Sequence, residues 1–523
     1  FAWAVVDGPE GAELPFEETS SGIFATPPEL TGRQLVKEES KMKLKDPVGD
    51  VTTFEEVGGP KEYLPVSVSQ PGGAGNKSRL KWHFNGTSKQ KQLVELIAPS
   101  APGLTCEEVT SSGPTGCRAL AFHYSTLTGG ERLTSIDYLA PGNGGPWTVA
   151  RYAYNAEGRL VEEWDPRISP PLVERYGYGP NGELTTLTPP GQEPWTLEYG
   201  TVDKEAGVGR LTAVRRPSLL ASPSVAQTTI AYEVPVSGAG APYELGGPEI
   251  AKWGQKDVPV EATAIFPPSE VPSSSPPGSY AQASVYYMDS EGFAVNTATP
   301  KGAGTSAASI TTEEPDEYGN VVRELSPDNR LAVLAAPTTE ERECDWQLLE
   351  TKRTYCEEGT QMLEEWGPMH PVRIEESGEN VEARLHTTIE YDSGWPKAGV
   401  KPHLPTRATT GANNVRPKPC KQTETAWGVD KDQRVTETHY NWNLRKPTET
   451  IVDPGSGHLG IKSVIAYNEE TGLPTQTRQP KEQTAEGSGG EGAGTTKTIY
   501  WKPGSNAANC EGSQYDGLPC RTE

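Results

Sequence analysis

The sequence predicts an all-β protein made of repeated antiparallel β-hairpins, and three observations predict it. Turn chemistry recurs along almost the whole chain, apolar residues on either side of those turns alternate with period two, and helical periodicity is nearly absent. The length of 523 residues is enough for several domains or one long repeat array.

Taken in chain order, residues 1–45 read as atypical strands that continue the array, and 46–523 as one continuous run of hairpin repeats. Asp46-Pro47-Val48-Gly49-Asp50-Val51 is a first turn. Phe122-His123-Tyr124 leads a further copy, closed by Gly129-Gly130-Glu131-Arg132-Leu133. The clearest unit runs from Arg151 to Trp164. Tyr152 and Tyr154 share one strand face, Asn155 caps the turn with its own side chain, and Gly158 supplies the positive φ that closes the hairpin. Leu160 and Trp164 share a face on the return strand.

The same pattern recurs at Tyr176-Gly177-Tyr178-Gly179-Pro180-Asn181-Gly182 and at Tyr199, whose longer turn closes at Gly209-Arg210-Leu211. It returns at Tyr287-Met288-Asp289-Ser290-Glu291-Gly292, Tyr355-Cys356-Glu357-Glu358-Gly359 and Tyr467-Asn468-Glu469-Glu470-Thr471-Gly472; Asp316-Glu317-Tyr318-Gly319 is a relative. Loop insertions are expected near 265–278, rich in Pro and Ser, and near 486–494, rich in Gly, Ser and Glu. Residues 328–352, with Leu331, Val333, Leu334 and Leu348, carry the one pattern that allows a short helix. A period of roughly 20–25 residues signals a stacked architecture in which no unit buries its own face alone. Because Tyr152, Tyr154, Tyr176, Tyr178, Tyr287 and Tyr467 all precede turns, they are expected to be equivalent, with their rings in register as a cross-strand ladder.

Composition narrows the function classes. The formal net charge of −24 argues against nucleic acid or acidic membranes as partners of a basic surface. A hydrophobic fraction of 34%, with 56 Gly and 48 Pro, argues against a thick helical core, while 20 Tyr, 12 Trp and 8 Phe argue against disorder. No stretch approaches the length of a membrane-spanning helix, and no secretory leader is visible. The chain opens on Phe1, which reads as a piece of a longer polypeptide.

These Tyr-led, Gly-closed units resemble the YD repeats of the RHS family, whose consensus runs approximately Y-x-Y-D-x-x-G-R-L. Tyr152, Tyr154, Asn155, Gly158, Arg159 and Leu160 match it position by position, with Asn155 in place of Asp. The phrases EEWDPRISPPL, LTPPGQEPWTLEYG, VYYMDSEGFAVNTATP and DEYGNVVRELSPDNR resemble the large secreted RHS-repeat proteins of actinobacteria, and LRKPTETIVDPG and AYNEETGLPTQTRQP continue the likeness. The resemblance covers most of the chain and weakens before about residue 40. It implies a fold, hairpins spiralling into a shell or barrel wall, and a role, enclosing a C-terminal cargo in toxin-complex and polymorphic-toxin members or adhesion in the related teneurins. The family's core element with D-P-x-G is not recognisable, since Asp453-Pro454-Gly455 and Asp46-Pro47-Val48-Gly49 are repeat-type turns. The segment therefore looks like wall, without plug or toxin.

Seven cysteines fall into close pairs, Cys106/Cys117, Cys344/Cys356 and Cys510/Cys520, with Cys420 left over, free or paired outside this segment. Each pair encloses a mostly polar excursion, so local disulfides and an extracellular setting are the first reading. Free thiols are the second; a metal site, lacking Cys-x-x-Cys or matched His spacing, is the third.

Catalytic patterns are weak. His83, His123, His370, His386, His403, His439 and His458 are scattered, and no G-x-S-x-G elbow exists. Gly75-Asn76-Lys77-Ser78 lacks the Gly-Lys of a phosphate loop, and the formal G-x-G-x-x-G at 487–492 has no strand-to-helix context. In the doublets Glu162-Glu163, Glu313-Glu314 and Glu364-Glu365, neighbours on a strand point to opposite faces. Asp430-Lys431-Asp432 lacks the ligand density of a calcium loop.

The reading is a secreted or cell-surface structural shell segment, not an enzyme, with no catalytic, cofactor-binding or metal residues. Its partners are expected to be the rest of the same polypeptide (further repeats, core and cargo), and also cell-wall glycan or surface proteins. The alternative is a cell-wall adhesin or carbohydrate-binding protein using exposed Trp and Tyr. The structural repeat residues are Tyr152, Tyr154, Gly158, Tyr176, Tyr178, Gly182, Tyr287, Gly292, Tyr467 and Gly472.

Overall fold

A computed structural model describes residues 3–7, 13–25, 33–46, 48–71, 77–86, 89–100, 104–110, 112–128, 130–142, 144–201, 209–218, 224–301, 308–357, 359–375, 377–396, 401–418, 420–423, 426–427, 429–480, 494–501, 510 and 518–523. Among them lie 34 β-strands and three short α-helices. Each strand pairs antiparallel with its sequence neighbour through most of the chain, so an all-β hairpin array is what the sequence produces. The expected loop at 486–494 lies, apart from Gly494, outside the described residues.

The described chain forms two compact units. One comprises Phe1–Val173, Ile389–Ala408 and Arg434–Glu523, the other Glu174–Thr388 and Thr409–Gln433. In the first unit, the N-terminal strands Trp3–Asp7, Glu13–Ser20 and Ile23–Ala25 pair in succession, as do Gln34–Glu38 and Lys41–Lys45. Their inner face buries Phe16, Phe24, Leu35 and Met42. A second small cluster collects Ile97, Val109 and Ala119 around the Cys106–Cys117 disulfide.

The second unit has the larger core. Val285, Tyr287, Ala298, Ile310 and Leu325 on successive strands meet Trp253, Ile250 and Val333 from the helical segments. The helix-permitting stretch resolves into two helices, Pro327–Ala335 and Thr339–Leu349. Ser326 caps the first, with Pro327 at its opening, where a missing N–H costs nothing. Thr338 and Glu341 form a reciprocal capping box on the second. The Pro/Ser-rich insertion begins after strand Glu261–Phe266 and runs without strand to the next one, Ser284–Met288, with Tyr280 and Ala283 tucked into the core.

Most of the repeat hairpins carry the same irregularity. In the hairpin of strands Trp147–Tyr154 and Leu160–Trp164, Ala153 lies opposite Glu162 while Tyr154 lies opposite Leu160, leaving Val161 as the extra residue of a β-bulge. The same shift falls at Tyr124, Tyr178, Tyr199, Tyr440, Tyr467 and Tyr500. A bulge sharpens local twist and re-aims the adjacent side chain. In these hairpins it sets the aromatic that precedes the turn, while the hairpins of Met288 and Pro315 carry the shift without an aromatic.

Candidate functional site

The repeat residues act at the turns and bulges. At the first turn, Asn155 Oδ1 accepts from the N–H of Glu157 and Arg159, and Gly158 N donates back to the Asn155 carbonyl. Gly158 has φ +77°, and a Cβ there would meet the Thr128 carbonyl at 3.1 Å, so the turn requires glycine. Asp289 repeats the capping pattern towards Glu291 and Phe293, closed by Gly292. Gly182 and Gly472 close their turns with backbone N–H bonds to Gly179 and Asn468.

The pre-turn aromatics link successive hairpins. Tyr154 Oη donates to the Leu133 carbonyl at 2.7 Å, and Leu133 is the residue opposite Tyr124 at the preceding bulge. Tyr124 donates in turn to Leu93, the residue opposite Trp82, and Trp82 Nε1 donates to Pro65, the residue opposite Phe54. Tyr467 reaches Pro447, opposite Tyr440, and Tyr500 reaches Pro474, opposite Tyr467. In the second unit Tyr232 reaches Leu211, opposite Tyr199. For these residues the tie runs through the polar tip to a main-chain carbonyl, not through the ring faces expected from the sequence. Burial pushes the hydroxyls of Tyr124, Tyr154, Tyr467 and Tyr500 above the ordinary tyrosine range, which keeps them protonated as donors.

Tyr287 departs from the expected equivalence. Its turn begins at Asp289, so Met288 holds the pre-turn place and Tyr287 sits one residue earlier, on the opposite face. It is fully buried, its hydroxyl has no hydrogen-bond partner among the described residues, and burial drives its pKa far up. Tyr152 and Tyr176 stand two residues before Tyr154 and Tyr178, on the same strands.

One element of the repeat escaped the sequence reading. The bulge residue is a threonine in several copies, and its hydroxyl donates to the carbonyl of the residue preceding the aromatic. Thr134 bonds His123, Thr212 bonds Glu198, Thr448 bonds His439 and Thr475 bonds Ala466, all at 3.2–3.3 Å. The signal is present as Leu-Thr or Pro-Thr two to four residues after each closing turn.

The cysteine expectation needs one correction. Cys106–Cys117 and Cys510–Cys520 are bonded, but Cys344 bonds Cys420, 76 residues away, and Cys356 is a free thiol. The reason is local. Cys356 takes the turn-capping place of its hairpin, with its N–H on Gln361 and its carbonyl receiving Gly359 N. Cys344 lies on helix Thr339–Leu349, packed with Leu348, Met369 and Cys420.

Polar side chains converge in two further places, both invisible to spacing arguments. His386 stacks on Trp366 at 3.8 Å, with Nδ1 at 2.8 Å from Asp430 and Nε2 at 2.8 Å from Glu364. Both ring nitrogens are engaged by carboxylates, so the ring ties strands together and has no nitrogen left for a reacting group. Asp430 also accepts from Asn413, and Asp432 accepts from Glu375 N, so that acidic motif serves the protein's own chain. The doublet Glu364-Glu365 splits as expected, Glu364 towards His386 and Glu365 towards Arg353. Nearby, Arg384 is 5% exposed and donates to the carbonyls of Gly367, Gln347 and Glu350 at the edge of a cavity of about 450 Å³.

The second place is a cavity of about 440 Å³ in the first unit. Tyr440 and Trp442 line it, and Trp442 also meets Trp395 edge-on at 5.4 Å. Polar groups face it from strands Pro405–Asn413 and Lys431–Asn441.

No family model matches this chain, and no curated protein matches it. Solved structures are similar at low scores. The Tc holotoxin pore of Photorhabdus luminescens is 11% identical with a TM-score of 0.31, over 94% of this chain and 26% of that one. The complex TcdB2-TccC3-Cdc42 gives 11% and 0.31 over 95% and 26%, and TcdB2-TccC3 gives 10% and 0.32 over 95% and 27%. The chain spans about a quarter of the length of each. Among the described residues no helix is long and apolar enough to cross a membrane.

Proposed function

We propose that this chain is a structural wall: a segment of a secreted or cell-surface shell that encloses or displays a C-terminal cargo carried by the same polypeptide, without catalysis of its own. The observation that carries the reading is the link, repeated at Trp82, Tyr124, Tyr154, Tyr467 and Tyr500, from a pre-turn aromatic to the bulge of the hairpin before it. Such a link makes a repeat that carries it depend on its neighbour, as in a one-dimensional array, and it uses the aromatics as fasteners. The stapled excursion at Cys106–Cys117 and the long-range Cys344–Cys420 bond fit an oxidising compartment.

The test is protease protection in the natural polypeptide. Sequence downstream of Glu523 should resist digestion while the wall is folded and become sensitive once the wall is melted. Equal sensitivity in both states would overturn enclosure, and export into a reducing compartment would overturn the address.

A further inference from the structure

We propose that the aromatic cavity of the first unit is a binding site for a neutral saccharide. The wall reading neither requires this nor supplies it, and the two stand or fall separately.

The chemistry of the lining selects the ligand class. A cavity of about 440 Å³ falls within the roughly 300–1,000 Å³ typical of small-molecule sites. Among the described residues no aliphatic side chain lines it, which disfavours a lipid or other apolar ligand. Arg407, the one arginine among the described lining residues, is already paired with Glu437 at 2.8 Å, and Glu390 adds a second carboxylate alongside His439, so the site disfavours phosphate, sulfate and uronic acids. What remains suited to it is an uncharged molecule with an apolar face and a rim of hydroxyls. A sugar ring is that molecule: its C–H face stacks on an aromatic ring, and its hydroxyls donate to carboxylates and accept from guanidinium.

The parts sit where that requires. Trp442 and Tyr440 lie 5.4 Å apart, and Trp442 is backed edge-on by Trp395, so the platform is fixed by other aromatics. The Tyr440 hydroxyl is engaged by the Pro405 carbonyl, which leaves the ring as its contribution to the cavity. Thr406 bridges the rim, donating to the Glu390 carbonyl and accepting from Ser393 N. Glu390 is exposed, and no hydrogen bond or ion pair engages its carboxylate among the described residues.

Isothermal titration of the full chain with cellotetraose, chitotetraose and trigalacturonate tests this. At least one of the two neutral oligosaccharides is expected to bind with a Kd of about 1 mM or tighter, and trigalacturonate at least about tenfold more weakly. Trp442→Ala should weaken binding by about tenfold or more, since aromatic anchors carry a disproportionate share of binding energy, and Trp442→Phe should restore most of it. Should Trp442→Ala fail to fold by circular dichroism, Glu390→Gln decides, because its carboxylate supports no fold contact; a several-fold weakening is expected there. Failure of both neutral sugars to bind, preference for trigalacturonate, or affinity unchanged in folded Trp442→Ala and in Glu390→Gln would each overturn the proposal.

Discussion

The hydroxyl of Tyr154 donates to the carbonyl of Leu133, 2.7 Å away and 21 residues earlier, at the point where Leu133 faces Tyr124 across a bulge. This one bond joins three features: a turn that presents the aromatic, a bulge that leaves a carbonyl to receive it, and a neighbouring repeat that supplies that bulge. With 34% hydrophobic residues the chain has little apolar area to bury, so directional ties between repeats carry more of the burden of holding them in register.

Tyr154→Phe keeps the ring and deletes the bond. The expected cost is about 1 kcal/mol, with similar losses for Tyr124→Phe, Tyr467→Phe and Tyr500→Phe. Tyr287→Phe is expected to behave oppositely, neutral or stabilising, because its buried hydroxyl has no partner to lose among the described residues. Thermal melts of the five variants decide it. Equal destabilisation by Tyr287→Phe would show that the tyrosines act through their rings alone.

Much of this was legible in the sequence. Asn155, Asp289, Gly158 and Gly292 announce their turns because the physics is local: a side chain reaching its own backbone and a positive φ. The target of Tyr154 was not legible, since it depends on which carbonyl a neighbouring repeat leaves facing it. Tyr287 was misplaced because strand faces alternate, so one residue of slip reverses a side chain. Cys356 was misassigned by nearness in sequence to Cys344, although its own place in the repeat, after Tyr355 and before Gly359, already put it in a turn. His386 and the Tyr440–Trp442 cavity arise from strands far apart in sequence, which no spacing rule anticipates.

The cysteine arrangement is directly measurable. Peptide mapping without reduction should recover Cys344 joined to Cys420, while Cys356 alone takes up an alkylating reagent in the unfolded, unreduced chain. Cys344→Ser should destabilise the chain by about 2–4 kcal/mol, and Cys356→Ser should change stability little. Recovery of a Cys344–Cys356 peptide would reverse the assignment.

Asp257 makes a pH-dependent contribution whose sign is fixed. Burial first, then the nearby carboxylates of Glu314, Asp289 and Glu291, raise its pKa above the ordinary aspartate value. The folded chain therefore holds this proton more tightly than the unfolded one. The associated stability is present below about pH 4 and is lost as pH rises through the raised folded value. Asp257→Asn should melt higher than the parent at pH 7, and the difference should vanish on acidification below about pH 4. A variant less stable than the parent at pH 7 would contradict the assignment.

The bulge threonines make the last prediction. In the hairpin of Tyr199, Thr212 is the extra residue and its hydroxyl donates to the Glu198 carbonyl at 3.2 Å; Thr448 does the same for His439. In the hairpin of Tyr154 the equivalent residue is Val161, which keeps the β-branched shape and has no hydroxyl to give. Thr212→Val and Thr448→Val thus install a side chain the bulge already accepts elsewhere, and only the hydrogen bond is lost. Each should cost about 1 kcal/mol. Val161→Thr runs the exchange backwards and should be neutral or stabilising, because the new hydroxyl finds the Ala153 carbonyl in the place where Thr212 finds Glu198. Chemical denaturation of the three variants separates the outcomes: no loss at Thr212 and Thr448 would mean that the shared β-branched shape, not the hydroxyl, sets the bulge, and a loss at Val161 would mean that the hydroxyl is not a transferable part of the repeat.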